Sequence, residues 1–298
     1  MLRRLTIANL VANMVIIWTG ALVRLTKSGL GCPTWPQCQG SSYVPTPEQG
    51  LHGAIEFGNR LLTFVLAAIA LATAIWAWRA WRQRRAPLRL FELSIGVGLG
   101  IIAQAVIGGV SVRTQLDPWV VGLHMVASVV LILITLEMVR LAHGSAPAPA
   151  SGRLYALTRL TFLVGMVVIV LGVVVTGSGP HSGDGAATRN GFDPEFMSKI
   201  HAWSVWLIVA MTLLGLFWAW SDARLRRVWL ALLATELLQG VIGYVQYFTH
   251  LPIVLVLGHM IGTTLFVVAL GHAWNATRYR DDPDAQLDAV ALSERAAA

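Results

Sequence analysis

Apolar residues run along this chain in eight long blocks, about 8–25, 54–78, 90–112, 119–141, 157–176, 198–220, 228–248 and 252–275, separated by short polar segments. A helix that crosses the hydrocarbon core of a bilayer needs roughly 20 mostly apolar residues. The blocks therefore predict eight transmembrane helices and an all-α integral membrane protein. Little of the 298-residue chain is left for a soluble domain. The first block has no small-residue cleavage site, so it reads as a retained helix rather than a signal peptide.

Charge adds a topology to this pattern. Sixteen of the 22 Lys and Arg residues cluster at one set of block ends, around Arg3, Arg79–Arg89, Arg140–Arg159, Arg224–Arg227 and the C-terminal tail. The other ends carry only Arg24, Lys27, Arg60, Arg113, Arg189 and Lys199. The positive-inside rule makes the richer side cytoplasmic, with both termini inside, and requires an even helix number. The net charge of +7 would suit nucleic acid if it formed a stripe. It lies instead in clusters between apolar blocks, so lipid and not nucleic acid is the expected surrounding.

The chain also repeats itself. Trp-Ala-Trp stands at 76–78 and again at 218–220, an offset of 142 that lays Asn59 on His201 and Glu56 on Ser198. Gln104 matches Gln239, and Val106-Ile107-Gly108 matches Val241-Ile242-Gly243, an offset of 135 that lays His124-Met125 on His259-Met260. Gly20 corresponds to Gly172 less cleanly, across a gap. The expected architecture is two tandem, parallel four-helix bundles, residues 1–145 and 146–280, followed by a disordered cytoplasmic tail over 281–298. Two similar pockets follow from that symmetry, with the long Gly- and Pro-rich outer segments, about 26–53 and 177–197, placed to cap them.

Both cysteines fall in the first outer segment, as Cys32-Pro33-Thr34-Trp35-Pro36-Gln37-Cys38. The outer side is oxidising, which favours a disulfide; a metal or thiolate site is the alternative, with no second pair of soft ligands nearby.

An ionisable group at membrane depth is costly unless paired or used. His124 lies six residues beyond Pro118 and His259 seven beyond Pro252, each roughly 10 Å below the outer boundary at ~1.5 Å per residue. His201 begins the sixth helix at comparable depth. Two imidazoles on facing helices can hold a haem iron from both faces; interhelical hydrogen bonding is the plainer alternative. Glu56, three residues before Asn59, faces the first pocket as a proton acceptor or as the ion-pair partner of Arg60, one turn away. Arg24, Arg60 and Arg113 gather where haem propionates would need partners, or are ordinary snorkelling residues. His52 shares the face of Glu56. His181 and His250 read as solvated loop residues, with a role near the second haem as the alternative, His143 and His272 as structural, and Glu236 with Gln239 as a pair that satisfies itself.

Gly20-Ala21-Leu22-Val23-Arg24-Leu25-Thr26-Lys27-Ser28-Gly29-Leu30 running into the cysteine loop, Ile55-Glu56-Phe57, and Thr176-Gly177-Ser178-Gly179-Pro180-His181-Ser182-Gly183-Asp184 together resemble the haem A synthases. The likeness covers nearly the whole chain. It implies an enzyme that oxidises the 8-methyl group of haem O to a formyl group and supplies haem A to terminal oxidases. It also implies a substrate haem in the first half, facing His124, and haem b in the second, held by His201 and His259. Glu56 would be the catalytic carboxylate, and Cys32 with Cys38 the loop disulfide. The family pattern has His where this chain has Asn59, which leaves the substrate iron with His124, and water or His52 as candidates for its other face. The plasma membrane is the expected location. Haem O synthase, an electron acceptor and a second copy of the chain are the candidate partners. The rival classes are a di-haem b-type electron carrier, for which Asn59 leaves one ligand too few, and a non-enzymatic haem-handling assembly factor, which would not need Glu56.

Overall fold

The computed structural model describes residues 1–150, 152–185 and 187–282. Eight long helices dominate it: α1 Leu2–Leu25, α2 Gly50–Arg82, α3 Leu88–Arg113, α4 Pro118–His143, α5 Gly152–Ser178, α6 Pro194–Trp218, α7 Ala223–Phe248 and α8 Ile253–Ala276. All eight are long and apolar enough to cross a membrane. The chain is a multi-pass membrane protein.

The helices outrun the apolar blocks at several ends, because a helix continues through the polar interface where its terminal backbone groups meet water and charged side chains. Arg3 and Arg4 lie inside α1, and α2 runs on past Trp78 to Arg82. Aspartates fix three starts. Asp117 accepts from the backbone N–H of Trp119 and Val120, Asp193 from Phe196, and Asp222 from Arg224 and Leu225. Pro118 and Pro194 open α4 and α6, where the missing N–H has no intrahelical partner to lose.

In the first half α1 packs on α2 and α4, and α3 joins α2 to α4; in the second, α5 packs on α6 and α8, and α7 joins α6 to α8. Between halves, α8 meets α1 and α4, and α4 meets α5. One apolar cluster crosses this seam, from Met14 and Ile17 of α1 through Val129 and Ile132 of α4 to Val168, Ile208 and Val267. Trp18 donates its indole N–H to Thr264 Oγ1 at 2.9 Å across the same seam.

At the end where α1 begins and α8 finishes, a short strand β1, Ser145–Pro147, pairs antiparallel with β2, Tyr279–Asp281. Asp281 is therefore part of a ladder and not of the tail expected from 281 onward; the remainder of that expectation, 283–298, lies outside the described residues. At the opposite end the two long segments meet where Gly29 N–H donates to Gly183 O at 2.9 Å.

Candidate functional site

The cysteine segment is folded by its own bonds before it meets the helices. Cys32 and Cys38 form a disulfide and both are fully buried. Glu56, on the second turn of α2, accepts from Cys32 N–H at 2.6 Å through Oε2 and pairs with Arg60 Nη2 at 2.6 Å through Oε1. Arg60 reaches on to the carbonyls of Cys32, Thr34 and Gln37. Carboxylate and guanidinium thus hold the loop by charge-assisted bonds to its backbone. Gly31 is needed here, since a side chain would run into the backbone of His52. Trp35 is laid against α3 over Gly109, where any side chain would displace the indole.

Beneath these segments lies one continuous cavity of about 1790 Å³. That is well beyond the ~1,000 Å³ upper range for a pocket fitted to one drug-sized ligand. It is lined by residues of both halves. His124, His201 and His259 all line it, with Asn59, Glu56, Arg24 and Arg60.

Each imidazole stands over a glycine of the neighbouring helix. A methyl group added at Gly108 of α3 would be 3.4 Å from Cε1 of His124, at Gly172 of α5 3.2 Å from His201, and at Gly243 of α7 3.5 Å from His259. The Nδ1 atoms of the three rings are buried and close no hydrogen bond of good geometry. Backbone groups of Val168 and Gln239 lie near the rings of His201 and His259. Among the described residues no three His, Cys, Asp or Glu side chains gather as they would around a bare ion. The donor set and the size of the cavity fit iron carried in a macrocycle.

The remaining candidates divide. Arg24 lines the cavity and, among the described residues, makes no hydrogen bond or ion pair, with Arg189 close enough to repel it. It is the cation free to meet an anionic group. Arg60 is committed to Glu56 and the loop. Arg113 is exposed and off the cavity wall, because the last turn of α3 points it away. His52 is also exposed and off the wall, its Nδ1 bonded to Ser28 Oγ at 2.9 Å.

Two readings from sequence are corrected. His181 is not a solvated loop residue: it lines the cavity, and its Nε2 meets Leu251 O at 2.9 Å, which ties the second long segment to the α7–α8 turn. Glu236 and Gln239 do not satisfy each other. Glu236 Oε1 accepts from Thr212 at 2.8 Å across α6, while Glu236 Oε2 and both polar atoms of Gln239 are buried without a partner. Sequence reasoning missed Trp35 and the glycine beneath each imidazole, although the repeat had already aligned Gly108 with Gly243.

Comparison with known proteins gives a consistent family. The sequence model of the COX15-CtaA family, cytochrome oxidase assembly proteins, matches residues 3–181. Heme A synthase of Bacillus licheniformis is 26% identical over 280 residues, 87% of this chain and 90% of that protein. Heme A synthase of Symbiobacterium thermophilum is 26% identical over 278 residues, 84% and 89% of the two chains. Heme A synthase of Lysinibacillus sphaericus is 35% identical over 133 residues, 43% of this chain and 41% of that protein.

Proposed function

Because the chain belongs to the COX15-CtaA family of cytochrome oxidase assembly proteins, we propose that it is an enzyme that converts haem O to haem A for terminal oxidases. The observation that carries this reading is the set of three imidazoles, His124, His201 and His259, each over a glycine and each lining one cavity large enough for two macrocycles. The reaction takes the 8-methyl group through hydroxylated stages to a formyl group. Each hydroxylation replaces a C–H hydrogen by the hydroxyl of a water molecule, passing two electrons to the electron acceptor and releasing two protons, and the second product, a geminal diol, loses water to give the formyl group.

The roles follow the halves. Residues 1–145 form the substrate half, where His124 faces the iron of haem O and Glu56 lies beside the pocket to accept protons and stabilise positive charge developing on the substrate. Residues 146–280 form the haem b half, where His201 and His259 would hold the haem. Haem b, when bound there, supplies one-electron transfer. Arg24 is the partner for a propionate. Both termini lie in the cytoplasm and the protein sits in the plasma membrane, with haem O synthase, an electron acceptor and a second copy of the chain as candidate partners. A di-haem electron carrier would want four strong ligands, and Asn59 removes one. Extracting haem from cells with and without the gene, and weighing the species, tests the proposal. Haem A present in both would refute it.

A further inference from the structure

The fourth place in the repeat is empty of side chain. Gly172, Gly108 and Gly243 each carry an imidazole above them, but a methyl group added at Gly20 of α1 would meet nothing within 4 Å. The residue that repeat symmetry puts opposite Gly20 is Asn59 of α2, and its side chain is one atom shorter in reach than an imidazole. Gly20 and Asn59 both line the cavity. Asn59 Oδ1 is buried without a hydrogen-bond partner. A buried, unsatisfied amide costs free energy that a ligand carrying a complementary atom would recover. His52, the other nearby imidazole, is bonded to Ser28 and does not line the cavity, so it does not fill the space.

We propose that the place bounded by Gly20 and Asn59 takes a small uncharged ligand, of one or two heavy atoms, on the face of the substrate iron opposite His124, with the Asn59 amide as its hydrogen-bond partner. This rests on the reading that the first-half pocket holds the substrate haem. It separates the halves chemically: the second site is closed by two imidazoles, whereas the first keeps an open position whose occupant Asn59 selects for size and for hydrogen bonding. Water has that chemistry, since it can donate to the Asn59 Oδ1 that is left without a partner. High-spin absorption of the oxidised protein reads water in the place, and carbon monoxide, which has no proton to donate, serves on the reduced protein as a probe of whether the place is open.

The test uses purified, haem-loaded full-length protein in detergent, with carbon monoxide as the probe. Haem content is measured first, in wild type and in His124→Ala. Content that falls in the variant locates a haem in the first half, and content that does not change overturns the pocket reading and this proposal with it. Carbon monoxide is then titrated onto the reduced protein. The haem that depends on His124 should bind it, and the His201–His259 haem should not, which provides an internal reference. Asn59→His should weaken binding roughly tenfold or more, since an imidazole held in place competes as an intramolecular ligand. Gly20→Leu should fill the same space without offering a ligand, and should abolish binding with no new low-spin signal. Asn59→Leu should keep carbon monoxide binding but lower the high-spin, water-bound fraction of the oxidised protein, because the acceptor for the water proton is lost. A haem that depends on His124 yet ignores carbon monoxide, or that binds it equally in Asn59→His and Gly20→Leu, would overturn the proposal while leaving the pocket reading intact.

Discussion

Glu56 and Arg60 meet at 2.6 Å, one helical turn apart, and together they reach four backbone groups of the disulfide loop. The carboxylate therefore has two roles on one wall: it anchors the loop and it faces the cavity. The two are separable by substitution. Glu56→Gln keeps size and one acceptor, so it should insert and retain the second-half haem, while cells accumulate haem O or a hydroxylated intermediate in place of haem A. Haem extraction and mass measurement read this; undiminished haem A would reduce Glu56 to an anchor.

Arg60→Met should do the opposite. It leaves a buried carboxylate without its cation and three loop carbonyls without a donor, and should cost about 3 kcal/mol of thermal stability. Glu56→Gln, which leaves Arg60 bonded to the carbonyls of Cys32, Thr34 and Gln37, should cost less. Melting curves in detergent compare the two; equal losses would contradict the geometry.

The glycine beneath each imidazole sets a second comparison. Gly243→Val should push His259 aside and strip the bis-imidazole signal from the second half, as should His259→Ala directly. Gly20→Ala, with open space above it, should be neutral or stabilise α1 by about 0.5–1 kcal/mol, the usual gain of Ala over Gly in a helix. Absorption spectra of the reduced proteins decide the first case and unfolding the second.

Thr212→Val removes the one hydrogen bond that Glu236 makes with a described residue, at 2.8 Å, in a buried site. The expected loss is about 1–3 kcal/mol. A stability unchanged from wild type would show that Glu236 has another partner when haem is bound.

The disulfide closes a loop of sequence separation 6, for which the chain-entropy account gives about 2 kcal/mol of local stabilisation. Non-reduced peptide mapping should find Cys32 joined to Cys38. The Cys32→Ser, Cys38→Ser double variant should expose Trp35, measured as increased quenching of its fluorescence in a background with the other tryptophans replaced.

The helices were legible because lipid leaves the backbone no choice, and apolar length is almost all that is required. Their ends were less so: Arg82 belongs to α2 because an interfacial turn tolerates charge, and no hydropathy window detects that. The repeat put His124, His201, His259 and Asn59 at matching depth and face, since a fixed offset carries both together, and all four line the cavity. Spacing failed where it had to predict partners. Glu236 and Gln239 share a face at three residues apart, yet the bond went to Thr212 on another helix, 24 residues away. Arg113 and Arg24 sit at equivalent helix ends, and only the phase of the last turn, which hydropathy cannot fix, puts one inside and the other out. His181 lies in a segment with no periodicity, so its burial could not be read.

The three-residue ladder between β1 and β2 has a mechanical consequence. It fastens the connector between the halves to the chain beyond α8, and Arg140 reinforces it by stacking 3.9 Å from the ring of Tyr279 while pairing with Glu137. The halves are thus riveted at the end where α1 begins and α8 finishes. At the other end the outer segments are joined by the Gly29–Gly183 hydrogen bond, far easier to break than a ladder. If the halves move apart to admit or release a bulky cargo, they should part like a clothes-peg, hinged at the ladder and opening at the disulfide.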